Sequence, residues 1–451
     1  MAAPAIRPRD ARSLGGNLPS HPGKAAQRPG DMIASMPSLH RLRPLLAALL
    51  ASIAAVSGDA LAATGTAVPI GGALRNDNAA VWKHLVDVAG GPGARFVVFG
   101  TASIEPAESA EDAAKTLRQY GAVATVLPVS PLLKGTDAAA AVRDPKFIAE
   151  VRAARGVFFT GGAQDRIVDT FQPAGRRSPL LEAIWEVFDN GGVVAGTSAG
   201  AAIMSPLMFR DAPDLVAVLK GRLRDGHELA QGLGFAGTGV FVDQHFLRRG
   251  RIGRLLPAML ARGYGVGLGV DENTAAFIHG DNVEVVGARG ALLVDLAQAT
   301  HDDGLGAFNV RNARVSLLMP GDHADLKARS VTPSATQLHG QRIAPDDKAY
   351  VPENDTAAFQ MDILGDRILP GAMANLIDSK AVDVRGLAFD AQPAKGDTRP
   401  TLGFEFRLSK DAQTLGWYSD ASGDDRYTVI SMRLDVTPVR LPAPLYTPWA
   451  R

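Results

Sequence analysis

One stretch constrains this chain more than any other: Val193-Val194-Ala195-Gly196-Thr197-Ser198-Ala199-Gly200-Ala201-Ala202, an apolar run that stops at a cluster of very small residues. A run of this kind predicts a buried strand. The spacing Gly196-x-Ser198-x-Gly200 is that of a nucleophile elbow, in which a strand turns sharply into a helix and exposes a serine hydroxyl at the bend. Small neighbours on both sides let strand and helix pass closely. An ordinary Gly/Ala-rich turn has the same composition, so the partners of Ser198 must be sought elsewhere in the chain.

Around this stretch the sequence alternates strand-like and helix-like segments. Ala67 to Ile70 reads as a strand ending at Gly71-Gly72, and Arg95 to Phe99 as a strand covered on both faces. Helices are predicted from about Ala79, from Pro106, from Asp144-Pro145 and from Ser178-Pro179; Asp144 is an N-cap with proline at the first helical position. Val157 to Thr160 is a further strand, stopping at Gly161-Gly162. The alternation predicts an α/β fold with a doubly wound, mainly parallel sheet, whose sites collect beyond the carboxyl ends of the strands. Short strands between 283 and 325 are expected at the antiparallel margin of that sheet. Beyond 330 the character changes, and 331–451 reads as a small β-rich appendage in which Thr428, Ile430, Met432, Leu434 and Val436 share a face. Trp417, Tyr418, Tyr427 and Trp449 are expected in its core rather than on a binding platform.

Lys and Arg total 47 against 47 Asp and Glu, so no net field argues for nucleic acid or an anionic membrane. Cysteine is absent, which removes disulfides, thiolate metal sites and a cysteine nucleophile. Residues 1–62 read as an unstructured leader followed by a secretory signal peptide: basic residues at His40 to Arg43, an apolar run from Leu45 to Val56, and Ala60-Leu61-Ala62 as cleavage site. The mature chain is therefore expected to be secreted or periplasmic, with 63–330 as its main domain and no segment apolar enough to span a bilayer.

A serine nucleophile needs a base and a group that orients the base. Of nine histidines, His245 stands out because it ends the apolar strand Gly239 to Val242 and is preceded by Asp243 and Gln244. Glu272 ends a second such strand and can hold the imidazole tautomer that leaves one nitrogen free for the serine proton. The order Ser198, His245, Glu272 differs from the Ser, acid, His order of lipase-like hydrolases.

Four motifs in order, Phe159-Thr160-Gly161-Gly162-x-Gln164, Gly196 to Ala201, Asp243-Gln244-His245-Phe246 with Arg249, Arg251 and Arg254 behind it, and Asp271-Glu272-Asn273, resemble the cyanophycinases over about residues 66–325. These are serine peptidases related to aspartyl dipeptidase, with a flavodoxin-like, amidotransferase-like fold. They cut poly-aspartate bearing side-chain arginine into β-aspartyl-arginine dipeptides without metal or cofactor. The resemblance implies Ser198 as nucleophile, His245 as general base then acid, Glu272 as orienter, and the N–H groups of Gly162 and Ala199 as oxyanion hole. It further implies Gln164, Asp243, Gln244, Arg249, Arg251 and Arg254 as substrate contacts. A small aspartyl or isoaspartyl peptide as substrate, a non-catalytic binding protein on the same fold, and assembly as a homodimer stay open. Three features stand apart from the family pattern: Ala163 beside Gln164, Pro257 soon after the arginine run, and an irregular stretch from Leu207 to Gly234 expected to form a loop over the site.

Overall fold

The computed structural model describes residues 65–451, apart from 348, 443, 450 and 451; the expected leader and its cleavage site lie outside the described residues. Strands β1 (Thr66–Ile70), β2 (Arg95–Phe99), β3 (Val123–Val126), β4 (Gly156–Phe159) and β5 (Val193–Thr197) pair in parallel in the order β1-β5-β4-β2-β3. Both faces of β1, β5, β4 and β2 are covered, which is why their sequences are almost continuously apolar, whereas the edge strand β3 leaves Val123 and Thr125 exposed. Helices α1 (Ala79–Val88) and α2 (Pro106–Gln119) pack Trp82, Leu85 and Leu117 on the face bearing Val68, Val98 and Phe158. Helices α3 (Pro145–Arg152), α4 (Gln164–Phe171) and α5 (Pro179–Asp189) cover the opposite face, which bears Val97, Phe159 and Val194. The Asp144 cap forms as the sequence implies, its carboxylate accepting the Lys146 N–H at 2.8 Å; Ser178 Oγ accepts the Leu181 N–H at 3.2 Å and caps α5. Each is worth roughly 1 kcal/mol of helix stability.

The α/β architecture with a β-rich C-terminal part is as expected, but the strands are divided between two sheets. Strands β6 (Leu207–Phe209) and β7 (Leu229–Gln231) pair only with each other, so the Leu207 to Gly234 stretch contains a small two-stranded element. Strands β8 (Val240–Asp243) and β9 (Val266–Val270), which lead to His245 and Glu272, pair in parallel in a second nine-stranded sheet. The alternation of strands and helices predicts a single doubly wound sheet for all of these strands. Instead, the second sheet packs Val242, Leu268 and Leu293 into the same core as Val97 and Phe159 of the first. The predicted antiparallel margin is also split. Strands β10 (Thr274–His279) and β11 (Asn282–Gly287) extend the first sheet beside β1, whereas β12 (Ala291–Asp295) and β13 (Val310–Leu318) join the second beside β9. Alternating hydrophobicity marks a strand as half-buried but does not say which neighbour buries it. Strands β14 (His323–Asp325) and β15 (Ser330–Thr332) complete the first sheet.

The remaining strands, β16 (Gln341–Ile343), β17 (Asp383–Ala388), β18 (Leu402–Ser409), β19 (Leu415–Ser419) and β20 (Arg426–Arg440), all belong to the second sheet. β20 pairs with β13, β18 and β19, so the C-terminal part continues the sheet that carries β8 and β9. Helices α6 (Ala199–Ala202), α7 (Ile252–Arg262) and α8 (Ile368–Ile377) complete the numbering used below. α7 and α8 bury Leu255 and Met373 on the outer face of the second sheet, with Phe404 and Leu434. Pro257 lies within α7, past its first turn, and still the helix runs on to Arg262. Two C-terminal expectations change. Ser431 takes φ 55°, the pairing with β13 slips a residue, and Val429 is fully buried while Ile430 is only partly so. Trp449 is exposed, whereas Trp417 is buried.

Candidate active site

Ser198 sits directly after β5 with φ 53° and ψ −107°, a conformation a non-glycine residue rarely adopts and that costs on the order of 1–3 kcal/mol. The flanking glycines are required by close approach. A Cβ on Gly196 would fall 2.4 Å from the Gly200 carbonyl oxygen, and one on Gly200 would fall 2.5 Å from that of Phe159. The Ser198 N–H is bonded to the Ile70 carbonyl at 2.9 Å, which ties the bend to the end of β1.

His245 also has a positive φ, 48°, and turns its ring toward this bend. Ser198 Oγ and His245 Nε2 are 2.9 Å apart, and His245 Nδ1 lies 2.7 Å from Glu272 Oε1. With the Nδ1 proton donated to the carboxylate, Nε2 accepts from the serine hydroxyl. Burial is the main influence on His245 and pushes its pKa below the ordinary histidine value; Arg249 and Arg251 add to this, and the bond to Glu272 opposes it. For Glu272, burial favours the neutral acid, but the His245 hydrogen bond and the charges of Arg248 and Arg249 prevail and hold its pKa below the usual range. The result is a neutral imidazole between an ionised carboxylate and a serine hydroxyl.

The two amides that the resemblance implies as oxyanion hole, those of Ala199 and Gly162, are free of partners in helix and sheet among the described residues. Ala199 opens α6, so its N–H has no carbonyl within the helix. The Gly162 N–H, just past β4, makes no hydrogen bond among the described residues. The neighbouring Gly161 lies against the serine; a Cβ there would be 3.2 Å from Ser198 Cβ.

The expected substrate contacts divide. Arg249 is exposed, carries no ion pair among the described residues, and acts electrostatically on both His245 and Glu272. Arg254, Asp243 and Arg251 are corrected by the structure. Asp243 is buried, and Arg254 clamps it with Nε at 2.8 Å from Oδ2 and Nη2 at 2.6 Å from Oδ1. Arg254 Nη1 donates to the Ala212 carbonyl and the guanidinium lies 4.2 Å over the Phe209 ring, so the group is fully used within the protein. Arg251, also buried, donates to the Gln244 carbonyl at 2.7 Å and reaches Asp243 at 3.5 Å. Burial, with Arg254 beside it, lowers the Arg251 pKa, although a guanidinium remains charged. Gln164 donates from Nε2 to the Phe209 and Arg210 carbonyls, at 2.8 and 2.7 Å, and so anchors β6. Its oxygen is the atom left for other partners. Gln244 is buried with Oε1 unpaired, as are Thr160 Oγ1 and Thr197 Oγ1. These three precede His245, Gly161 and Ser198 in sequence.

The Gly71-Gly72 turn, legible in the sequence as the end of a strand, reaches into the site in a way the sequence did not indicate. Its carbonyls accept the N–H groups of His245 (2.7 Å, from Gly71) and Asn273 (2.7 Å, from Gly72), joining both sheets at the site. Asn78, the N-cap of α1, donates to the Asn273 carbonyl and side chain at 2.9 Å. The one sequence signal for this clamp was a Gly-Gly pair at the end of a buried strand.

Residues 69–286 match Peptidase family S51. The cyanophycinase of Geminocystis herdmanii is 30% identical over 255 residues, which is 53% of this chain and 85% of that protein. The chain belongs to peptidase family S51. The S51 match includes all three residues of the hydrogen-bonded chain and ends before β12. The cyanophycinase of Trichormus variabilis is 34% identical over 202 residues, covering 42% of this chain, and the chain spans 63% of that relative's length. A crystal structure of a peptidase from an acI-B1 Actinobacterium is similar at 23% identity with a TM-score of 0.40, covering 51% of this chain and 90% of that one.

Proposed function

We propose that this chain is an exported serine peptidase that hydrolyses cyanophycin to β-aspartyl-arginine dipeptides, with Ser198 as nucleophile, His245 as base and Glu272 as its orienting carboxylate. The observation that carries this reading is the unbroken hydrogen-bond chain from Ser198 Oγ through both His245 nitrogens to Glu272. Its setting in a family of peptidases supports the reaction class, and relatives named cyanophycinases support the substrate. Export rests on the basic, apolar and small-residue pattern at 40–62.

In this mechanism His245 Nε2 takes the hydroxyl proton as Ser198 Oγ attacks the scissile carbonyl carbon. The carbonyl oxygen becomes an oxyanion held by the Gly162 and Ala199 amides, donors directed at charge that exists only in the tetrahedral state. The amine leaves with the proton returned by His245, and water repeats the sequence to release the acyl group. Glu272 stabilises the imidazolium at each stage. Arg249 is the cation that meets a substrate carboxylate, and the Gln164 side-chain oxygen, whose amide nitrogen is held by the Phe209 and Arg210 carbonyls, is an acceptor for a substrate guanidinium.

Incubating the mature chain with insoluble cyanophycin and reading soluble products by mass spectrometry tests this directly. Dipeptide released by the wild type and not by Ser198→Ala is expected. Release by Ser198→Ala would remove the serine from its role. No release from polymer, with cleavage of small isoaspartyl peptides, would replace the substrate and keep the mechanism.

A further inference from the structure

The S51 match ends at residue 286, yet a C-terminal segment touches the loop carrying the site. Asp271, next to Glu272, has no exposed surface, and a buried carboxylate needs compensating partners. Its Oδ1 accepts the Arg248 N–H at 2.9 Å, and its Oδ2 faces Arg367 Nε at 3.2 Å. Arg367 holds φ 54°, in the left-handed region, and its own N–H bonds to the Leu247 carbonyl at 3.0 Å. The residue before it, Asp366, lies 3.3 Å from Arg248 Nε, and Nη1 of the same guanidinium approaches Glu272 Oε2 at 3.8 Å. Gly250 completes the fit: a Cβ there would fall 2.0 Å from the Leu364 carbonyl oxygen, so the loop after His245 is shaped to receive this segment.

We propose that Leu364–Arg367 is a working part of the site, in which Arg367 through Asp271, and Asp366 through Arg248, position Glu272 for its bond to His245. Neither residue touches substrate; both are positioning residues, and the inference rests on the serine-peptidase reading above. The two contacts act on opposite sides of Glu272. Arg367 fixes the backbone end of β9 from which the carboxylate projects, and Asp366 aims the Arg248 guanidinium that faces its second oxygen. A C-terminal part with a merely packing role would support the second sheet without supplying paired charges at this point.

The test is the rate at which a small phosphonylating reagent modifies Ser198 in the full mature chain, resolved into reagent affinity and limiting rate. Arg367→Ala is expected to lower the limiting rate roughly 10- to 100-fold with affinity unchanged, as for a catalytic group displaced by about 1 Å. Arg367→Lys, which keeps the charge, should recover most of it. Asp366→Asn alters a half-exposed side chain and leaves folding intact; a fall of about two- to fivefold is expected, the scale of an exposed ion pair. If Arg367→Ala does not fold, Asp366→Asn decides, and a wild-type rate in that variant overturns the proposal. Wild-type rates in a folded Arg367→Ala overturn it as well. Failure of the wild type itself to be modified at Ser198 would instead refute the serine nucleophile, and the positioning role with it.

Discussion

Replacing Gly72 by alanine probes the site at a residue that performs no chemistry. Gly72 adopts φ +102°, and a Cβ built on it falls 2.2 Å from His245 Cε1 and 2.4 Å from Nε2, the atom that faces Ser198. Ordinary contact begins near 3.4 Å, so the ring must retreat by about 1.2 Å or the turn must move. The turn is poorly free to move, because the Gly71 and Gly72 carbonyls hold the N–H groups of His245 and Asn273. Displacement by this distance exceeds what the 2.9 Å Ser198–His245 contact can absorb. A shift of about 1 Å in a catalytic group costs on the order of 10²-fold in rate, or about 2.7 kcal/mol of barrier. The left-handed backbone adds a separate stability cost of about 1–3 kcal/mol. The phosphonylation rate of Ser198 reads the first effect and the urea midpoint the second. A folded Gly72→Ala protein with wild-type phosphonylation would refute the claim that this turn sets the position of His245.

Three further outcomes are expected. Arg254→Ala should destabilise the fold by about 3–5 kcal/mol in urea titration, because it leaves buried Asp243 without its bidentate partner. Arg249→Ala should lower kcat/KM on an acidic peptide roughly 10- to 100-fold, a charge-assisted contact of about 1.5–3 kcal/mol, with the thermal midpoint unchanged. For pH dependence, His245 must be neutral to accept a proton, and burial holds its pKa below the ordinary 6.5. The neutral base therefore persists into mildly acidic solution, and the phosphonylation rate should rise with pH through a midpoint below 6.5; a midpoint above that value would contradict the buried, Arg-flanked environment.

Much of this protein is written locally. The capped helices α3 and α5, the apolar strands β2 and β4, and the small residues around Ser198 each carry their own signal, because caps, periodicity and steric size act over a few neighbouring positions. Ser198, His245 and Glu272 could be picked out for the same reason: each follows an apolar strand with a polar residue where backbone pairing stops. What the sequence could not say is how distant segments share space. It did not reveal that the strands leading to Ser198 and to His245 lie in different sheets, since one period-2 pattern serves either. It showed a run of arginines but not that Arg254 closes on Asp243 while Arg249 is exposed, because a charge declares neither its depth nor its partner. Nor did it connect Arg367 with Asp271, 96 positions apart, or place the His245 ring against Gly72. Local chemistry determined which residues this protein brings to its site; tertiary packing decided which of them face each other, because only the folded chain sets the distances on which hydrogen bonds and ion pairs depend.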